Sequence, residues 1–269
     1  MQLLLRSTVK EWSLFPCSLL IWIKLCRPRQ GMNIIEGIVI ATWSQFVSFT
    51  VSEDIKTIPI ADLAPTQVTV GMREVDFKRR RWREKHSQRP ADYLNTHRFP
   101  VILGLHARHY LIDRHHLALA LQDEGIWELP VLIVANMSTL SFDEFWKTLE
   151  VQNWSHPFDG EGRRRSYDDM PTSVDDLTDD PYRSLAGSLR RAGGYAKDKA
   201  PFSEFRWADF LRGRIPRELV ERHFGRALAL AMNLAQSKDA AVLPGWRRYP
   251  GEVSRIGQEA SNYGARTFM

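Results

Sequence analysis

Cysteine is almost missing from this 269-residue chain, and its two copies, Cys17 and Cys26, both lie near the start. A disulfide scaffold or a cysteine-rich metal centre is therefore excluded from the body of the protein. Long apolar runs are missing as well. Residues 13–26 are apolar but interrupted by Lys24, and the unbroken part falls short of the roughly 20 residues a spanning helix needs, so no integral membrane span is expected. There is no His-x-x-x-His or Cys-x-x-Cys spacing, no Walker A loop, no Gly-x-Ser-x-Gly and no dinucleotide fingerprint, so no dedicated zinc site is expected. The 16 glycines and 14 prolines follow no repeat, which argues against fibrous or low-complexity structure. A strong excess of one charge is also lacking: 37 Lys and Arg stand against 32 Asp and Glu, a net charge of +5. That mild basicity permits a phosphate-bearing partner without demanding one.

What is present is an ordinary globular composition, 43% apolar and 26% charged, with nine Trp and thirteen Phe to build a core. Residues 1–54 read as a leader or a mis-assigned start, with Met32 as the alternative initiator. Arg6 and Lys10 precede an apolar stretch that resembles a signal segment without a cleavage site. The cytoplasm is the expected compartment, and export through that segment is the alternative. Residues 55–136 read as one α/β unit. Ile58–Pro65 suits a short edge strand and turn, and residues 74–97 suit one or two charged helices divided by Pro90. Phe99–Gly104 and His109–Asp113 form a hairpin, Arg114–Gly125 a helix ending in glycine, and Leu129–Ala135 a buried strand. Residues 137–246 read as a helical extension. Ser141 and Glu144 form a capping box, a polar loop fills 155–181, and helices follow at 182–192, 202–213 and 216–236. Residues 247–269 read as a tail.

The segment Tyr110-Leu111-Ile112-Asp113-Arg114-His115-His116-Leu117 carries the chemistry. A strand ends at an aspartate, and two histidines open a helix. The first turn of a helix offers unsatisfied N–H groups and a positive dipole end, which suits an anion. Asp113 can cap that end or stand beside the bound group, and His115 and His116 can donate to phosphate oxygens. The plainer reading makes one histidine a core residue and the other a surface cap.

This order of elements resembles the ParB/sulfiredoxin superfamily, and residues 56–246 resemble its ParB-like nuclease family. The matching pieces are Thr69–Val75, Leu111–Ala118, Asp180–Gly187 and Leu243–Trp246. The resemblance implies an α+β fold, a small mixed sheet with helices followed by an all-helical extension. It also implies a phosphate or nucleotide ligand held at the Asp113–His116 turn, and a nuclease or other phosphoryl-handling activity. A non-catalytic DNA- or nucleotide-binding protein of the partition type is the alternative, and a small-molecule kinase a further one. Superfamily kinases carry Asp-Gly-His-His-Arg at this turn; here Arg114 replaces the glycine and Leu117 the arginine. Both changes bear on how closely a phosphate can approach and what clamps it. The candidate catalytic residues are His115, His116, Asp113 and, as general base, Glu74. Arg73, Arg114, Tyr182, Arg183 and Ser184 are candidate phosphate or nucleotide contacts. The basic run Arg79, Arg80 and Arg81 beside Trp82 is a candidate nucleic-acid surface, with a solvated helix face as the alternative. The candidate cofactors are a divalent cation, a nucleotide or both.

Overall fold

The computed structural model describes residues 56–247, so the leader and the tail beyond Arg247 lie outside the described residues. The fold is mixed α+β. A five-stranded sheet has the order β1 (Lys56–Pro59), β6 (Glu128–Asn136), β4 (Phe99–Leu103), β5 (His109–Leu111) and β2 (Leu63–Pro65). The pairings alternate: β1 with β6 and β4 with β5 are antiparallel, whereas β4 with β6 and β2 with β5 are parallel. The stretch Ile58–Pro65 thus departs from a single edge strand. A 3-10 turn at Ile60–Asp62 carries the chain from one edge of the sheet to the other. Prolines close both edge segments, Pro59 in β1 and Pro65 in β2, where a missing ladder donor is tolerated.

Both faces of the sheet are covered, and the two-residue period of the strands divides the core accordingly. Leu129, Val131 and Ile133 of β6 face α1 (Met72–Lys85) and α3 (His115–Asp123), joining Val75, Trp82, Leu117 and Leu121. Val134 faces the other way, toward Phe145, Trp146 and Leu149 of α4 (Phe142–Val151). The Ser141–Glu144 capping box is formed, with the Ser141 N–H donating to Glu144 Oε2 at 3.0 Å. A short helix, α2 (Pro90–Thr96), follows Pro90 as the sequence implies.

Residues 152–180 wrap the sheet and end in β7 (Thr178–Asp179), which pairs in parallel with β3 (Thr69–Val70). The helical extension follows: α5 (Pro181–Arg191), α6 (Ser203–Arg212), α7 (Arg217–Arg222) and α8 (Phe224–Ala235). Its core joins Leu185, Leu189, Trp207, Leu211, Val220, Leu228 and Met232. The expected single helix over 216–236 is two, because His223 leaves helical geometry at φ −135° and ψ 53°. Gly225, a weak helix former, follows directly.

Candidate functional site at the meeting of three helix starts

The beginnings of α1, α3 and α5 meet at Gly71. Its N–H donates to His116 Nε2 at 2.9 Å. A Cβ placed on Gly71 would lie 2.6 Å from both the Ser184 main-chain nitrogen and Ser184 Oγ, so only glycine fits between α1 and α5. The start of α1 is closed by the extension. Asp179 Oδ1 accepts from the Met72 N–H at 2.8 Å, and Ser184 Oγ accepts from the Arg73 N–H at 3.2 Å. The start of α3 is not closed in this way. Asp113 is exposed, and its Oδ1 accepts from the Arg114 N–H at 2.7 Å. No acceptor among the described residues meets the N–H groups of His115 and His116. Arg114 caps α3 in the left-handed region, at φ 67° and ψ 24°. The arginine therefore adopts the backbone state that glycine takes freely.

The adjacent histidines have different surroundings. His115 is 3% exposed, and its Nε2 accepts from the Thr66 N–H at 3.3 Å. Burial pushes its ring down to about 3, against the pull of a hydrogen bond to the Leu111 main chain. The ring is thereby engaged by the segments around β2 and β5. His116 is half-buried and turned toward α1. Burial, reinforced by the Arg183 guanidinium, holds it well below the ordinary histidine range. Both rings are neutral at physiological pH.

Around them lies a cluster of charges from three helices. Arg183, 5% exposed, donates from Nη1 to Glu204 Oε2 at 3.2 Å and lies over the Phe205 ring at 3.9 Å. Its Nε is buried without a partner. Arg190 Nε donates to Glu204 Oε1 at 2.9 Å. Burial alone would raise the Glu204 carboxyl, but Arg183 and Arg190 pull it down to about 2. Glu74 is buried beneath α5. It pairs with Arg191 through Oε2, its carboxylate fills the space beside Gly187, and its Oε1 has no partner. Lys78, one turn further along α1, is half-buried and makes no hydrogen bond or direct ion pair among the described residues. Burial lowers its ammonium, while Glu74, Glu204 and Asp113 act from a distance to raise it.

Sequence reasoning placed Lys78 only within the basic run that opens with it and did not single out Arg190 or Glu204. A signal for Lys78 existed: it lies three residues after Val75 and four before Trp82, both buried, which sets a cation on the apolar stripe of α1. Arg190 and Glu204 had no local signal.

The other candidates are placed elsewhere. Tyr182 is 3% exposed and donates its hydroxyl to the Ile215 carbonyl at 2.7 Å, so it anchors the helical core instead of walling a pocket. Arg73 packs over Phe224 at 4.3 Å, and Ser184 is buried at the α1 contact. Trp82, at 4% exposure, sits edge-on to Tyr93 inside the core and offers no face to a base. Arg79 is bound to Glu124 at 2.8 Å, while Arg80 and Arg81 point into solvent. Among the described residues, no three His, Cys, Asp or Glu side chains converge as metal ligands, and no helix is long and apolar enough to cross a membrane.

A family model described as "Putative ParB-like nuclease" matches residues 56–213. Among solved structures, protein Atu1540 from Agrobacterium tumefaciens is similar at 50% identity with a TM-score of 0.68. That match covers 73% of this chain and 98% of the other. No protein of curated function matches the chain.

Proposed function

This chain belongs to the ParB-like nuclease family, and from that premise we propose that it binds a phosphate-bearing ligand, a nucleotide or a nucleic-acid strand, at the start of α3. The observation that carries this reading is Lys78, a half-buried ammonium without an ion pair, close enough to Asp113 to feel its charge. An unpaired cation out of water is costly, and an arriving anion offsets that cost. The open N–H groups of His115 and His116 supply donors on the same side, with the dipole of α3 behind them. In this reading Lys78 and the α3 start grip the phosphate, and Arg114 and Arg183 add positive potential. His116 fixes the approach of α1 through Gly71, and His115 fixes the helix to the sheet.

Binding is favoured over turnover by the state of the candidate catalysts. A general base works best with a pKa near the operating pH. His115 sits at about 3 and His116 well below its ordinary value, and Glu74 is committed to Arg191. Asp113 is the one exposed carboxylate of the four proposed catalysts. A divalent cation escorting the phosphate would meet it first.

Calorimetric titration of the full chain with inorganic phosphate, a mononucleotide and a short DNA strand tests the reading. Lys78→Met is expected to weaken phosphate affinity at least about tenfold, the order of one charge-assisted contact, with the circular dichroism spectrum unchanged. Unaltered affinity in that variant, or no binding by the parent protein, would overturn the proposal. Cleavage of the DNA strand that vanishes in Asp113→Asn would move the reading from binding to hydrolysis.

A further inference from the structure

Helix α2 is the one described helix without a buried residue. Such an element sits at the low-stability end of a fold, where local opening costs little. It is held mainly through Tyr93, which with Leu94 packs against the main core and sits edge-on to Trp82 at 5.4 Å. Two imidazoles lie against the same phenol ring. His97 stacks on it with centroids 3.8 Å apart and planes 10° apart, and His86, the C-cap of α1, lies at 4.2 Å. We infer that this cluster of two histidines and a tyrosine is an acid-sensitive clasp that fastens α2 to the end of α1 at neutral pH and loosens on protonation.

The charges around the cluster set the direction. Arg81 and Lys85 of α1 act on His86, as does His97 itself. Arg81 and Arg114, the cap of α3, act on Tyr93. Glu84 and Asp92, the carboxylates nearest in sequence, are exposed, and neither pairs with a histidine. A single imidazolium gains from a phenol face. Two of them against one ring, among these cations, repel each other and their surroundings.

Burial, then Arg81, His97 and Lys85, accordingly hold His86 below its ordinary value. The opened segment therefore takes up protons more readily than the closed one. The clasp holds above about pH 6.5 and weakens as pH falls below it. His97 also makes a joint within α2: its Nδ1 lies 2.9 Å from the Tyr93 carbonyl oxygen and 2.9 Å from Thr96 Oγ1. An Nδ1–H donated to that carbonyl leaves Nε2 to take the proton. Acid thus adds charge to the cluster without breaking the joint.

The test is hydrogen exchange on the full chain at about pH 7.5 and about pH 5.5, with rates corrected for the intrinsic effect of pH. On acidification, protection of the α2 amides is expected to fall further than that of the β4 and β6 amides, by about threefold or more. The sheet amides report the stability of the whole fold, so the difference isolates α2. His86→Phe with His97→Phe keeps the rings and removes the protons, and its α2 amides are expected to change no more than the sheet does. Arg81→Gln with Lys85→Gln keeps both histidines and removes neighbouring charge, so the extra loss in α2 is expected to shrink. Equal losses in α2 and the sheet of the parent chain, or an extra loss that persists in the phenylalanine variant, would overturn the clasp. Should the phenylalanine variant lose its circular dichroism signal, the glutamine variant decides, and an undiminished loss there overturns the proposal.

Discussion

Two groups of positive charge lie on and beside helix α1, and their surroundings make them different objects. The outer group, Arg79 to Arg83, is dense in sequence, but two of its four arginines are paired with acids and the other two, Arg80 and Arg81, stand in solvent. Arg79 reaches Glu124, Asp123 and Asp76, and Arg83 reaches Glu124 at 2.6 Å. Hydrogen bonding from Arg83, with Arg79 beside it, holds the Glu124 carboxyl down at about 2. The inner group gathers Lys78 from α1 and Arg183, Arg190 and Arg191 from α5. It is sparse in sequence, half out of water, and keeps an unpaired ammonium and an unpaired Nε. A count of charges along the chain ranks the outer group first. Desolvation ranks the inner group first, because attraction weakens in water and strengthens where water is thin.

The sharpest way to break that contrast is Arg183→Met. The guanidinium is buried against Glu204 and Phe205, so its removal is expected to cost about 3 kcal/mol of unfolding free energy in a urea titration. A loss below about 1 kcal/mol would place the inner group with ordinary surface charge. Next is Gly71→Ala, which forces a Cβ against the Ser184 backbone. A cost of about 2 kcal/mol is expected, together with weaker phosphate binding as α1 is pushed from α5 and the Gly71–His116 hydrogen bond is disturbed. A neutral effect would mean that the three helix starts are not tightly joined.

Acid provides a third test. His115 and His156 both fall from 6.5 to about 3 in the folded protein. The unfolded chain therefore binds more protons between those values, and stability drops as pH falls from about 6.5 toward 3. The expected slope is about 1.4 kcal/mol per pH unit for each histidine in that window. His115→Asn should remove its share; an unchanged slope between pH 6 and 4 would contradict the burial of that ring. The smallest effect is expected from Arg80→Ser with Arg81→Ser. Stability should stay within about 0.5 kcal/mol, and only the salt dependence of any DNA binding should soften. Complete loss of DNA binding in that pair would restore the outer face as the nucleic-acid surface.

Much of the fold is legible in the sequence because its signals are local. The capping box at Ser141 and Glu144, the break at Pro90 and the apolar run of α3 each need only a few neighbouring residues. The crossing of the chain between sheet edges at Ile60–Asp62 needs knowledge of partners on two different strands, which no window contains. The candidate site divides in the same way. The strand, turn and helix around Asp113 are visible in one stretch. The distinct roles of His115 and His116 depend on Thr66 and Gly71, some 45 residues away or more. The ring of Phe205 meets Arg183 at 3.9 Å and His156 at 3.6 Å, side chains from separate elements. Trp82 shows the converse: among arginines it suggests a platform for bases, yet its spacing from Val75 and Lys78 follows the stripe that faces inward.

The pairing of β3 with β7 bears on how this protein comes off the ribosome. Asp179 meets Met72 across 107 residues of chain, so the opening turn of α1 must wait for a segment translated much later. The sheet and α3 emerge first, with the open end of α3 formed before the helices that surround Lys78. A nascent chain stalled ahead of Thr178 would carry the open start of α3 without the contacts that close the start of α1.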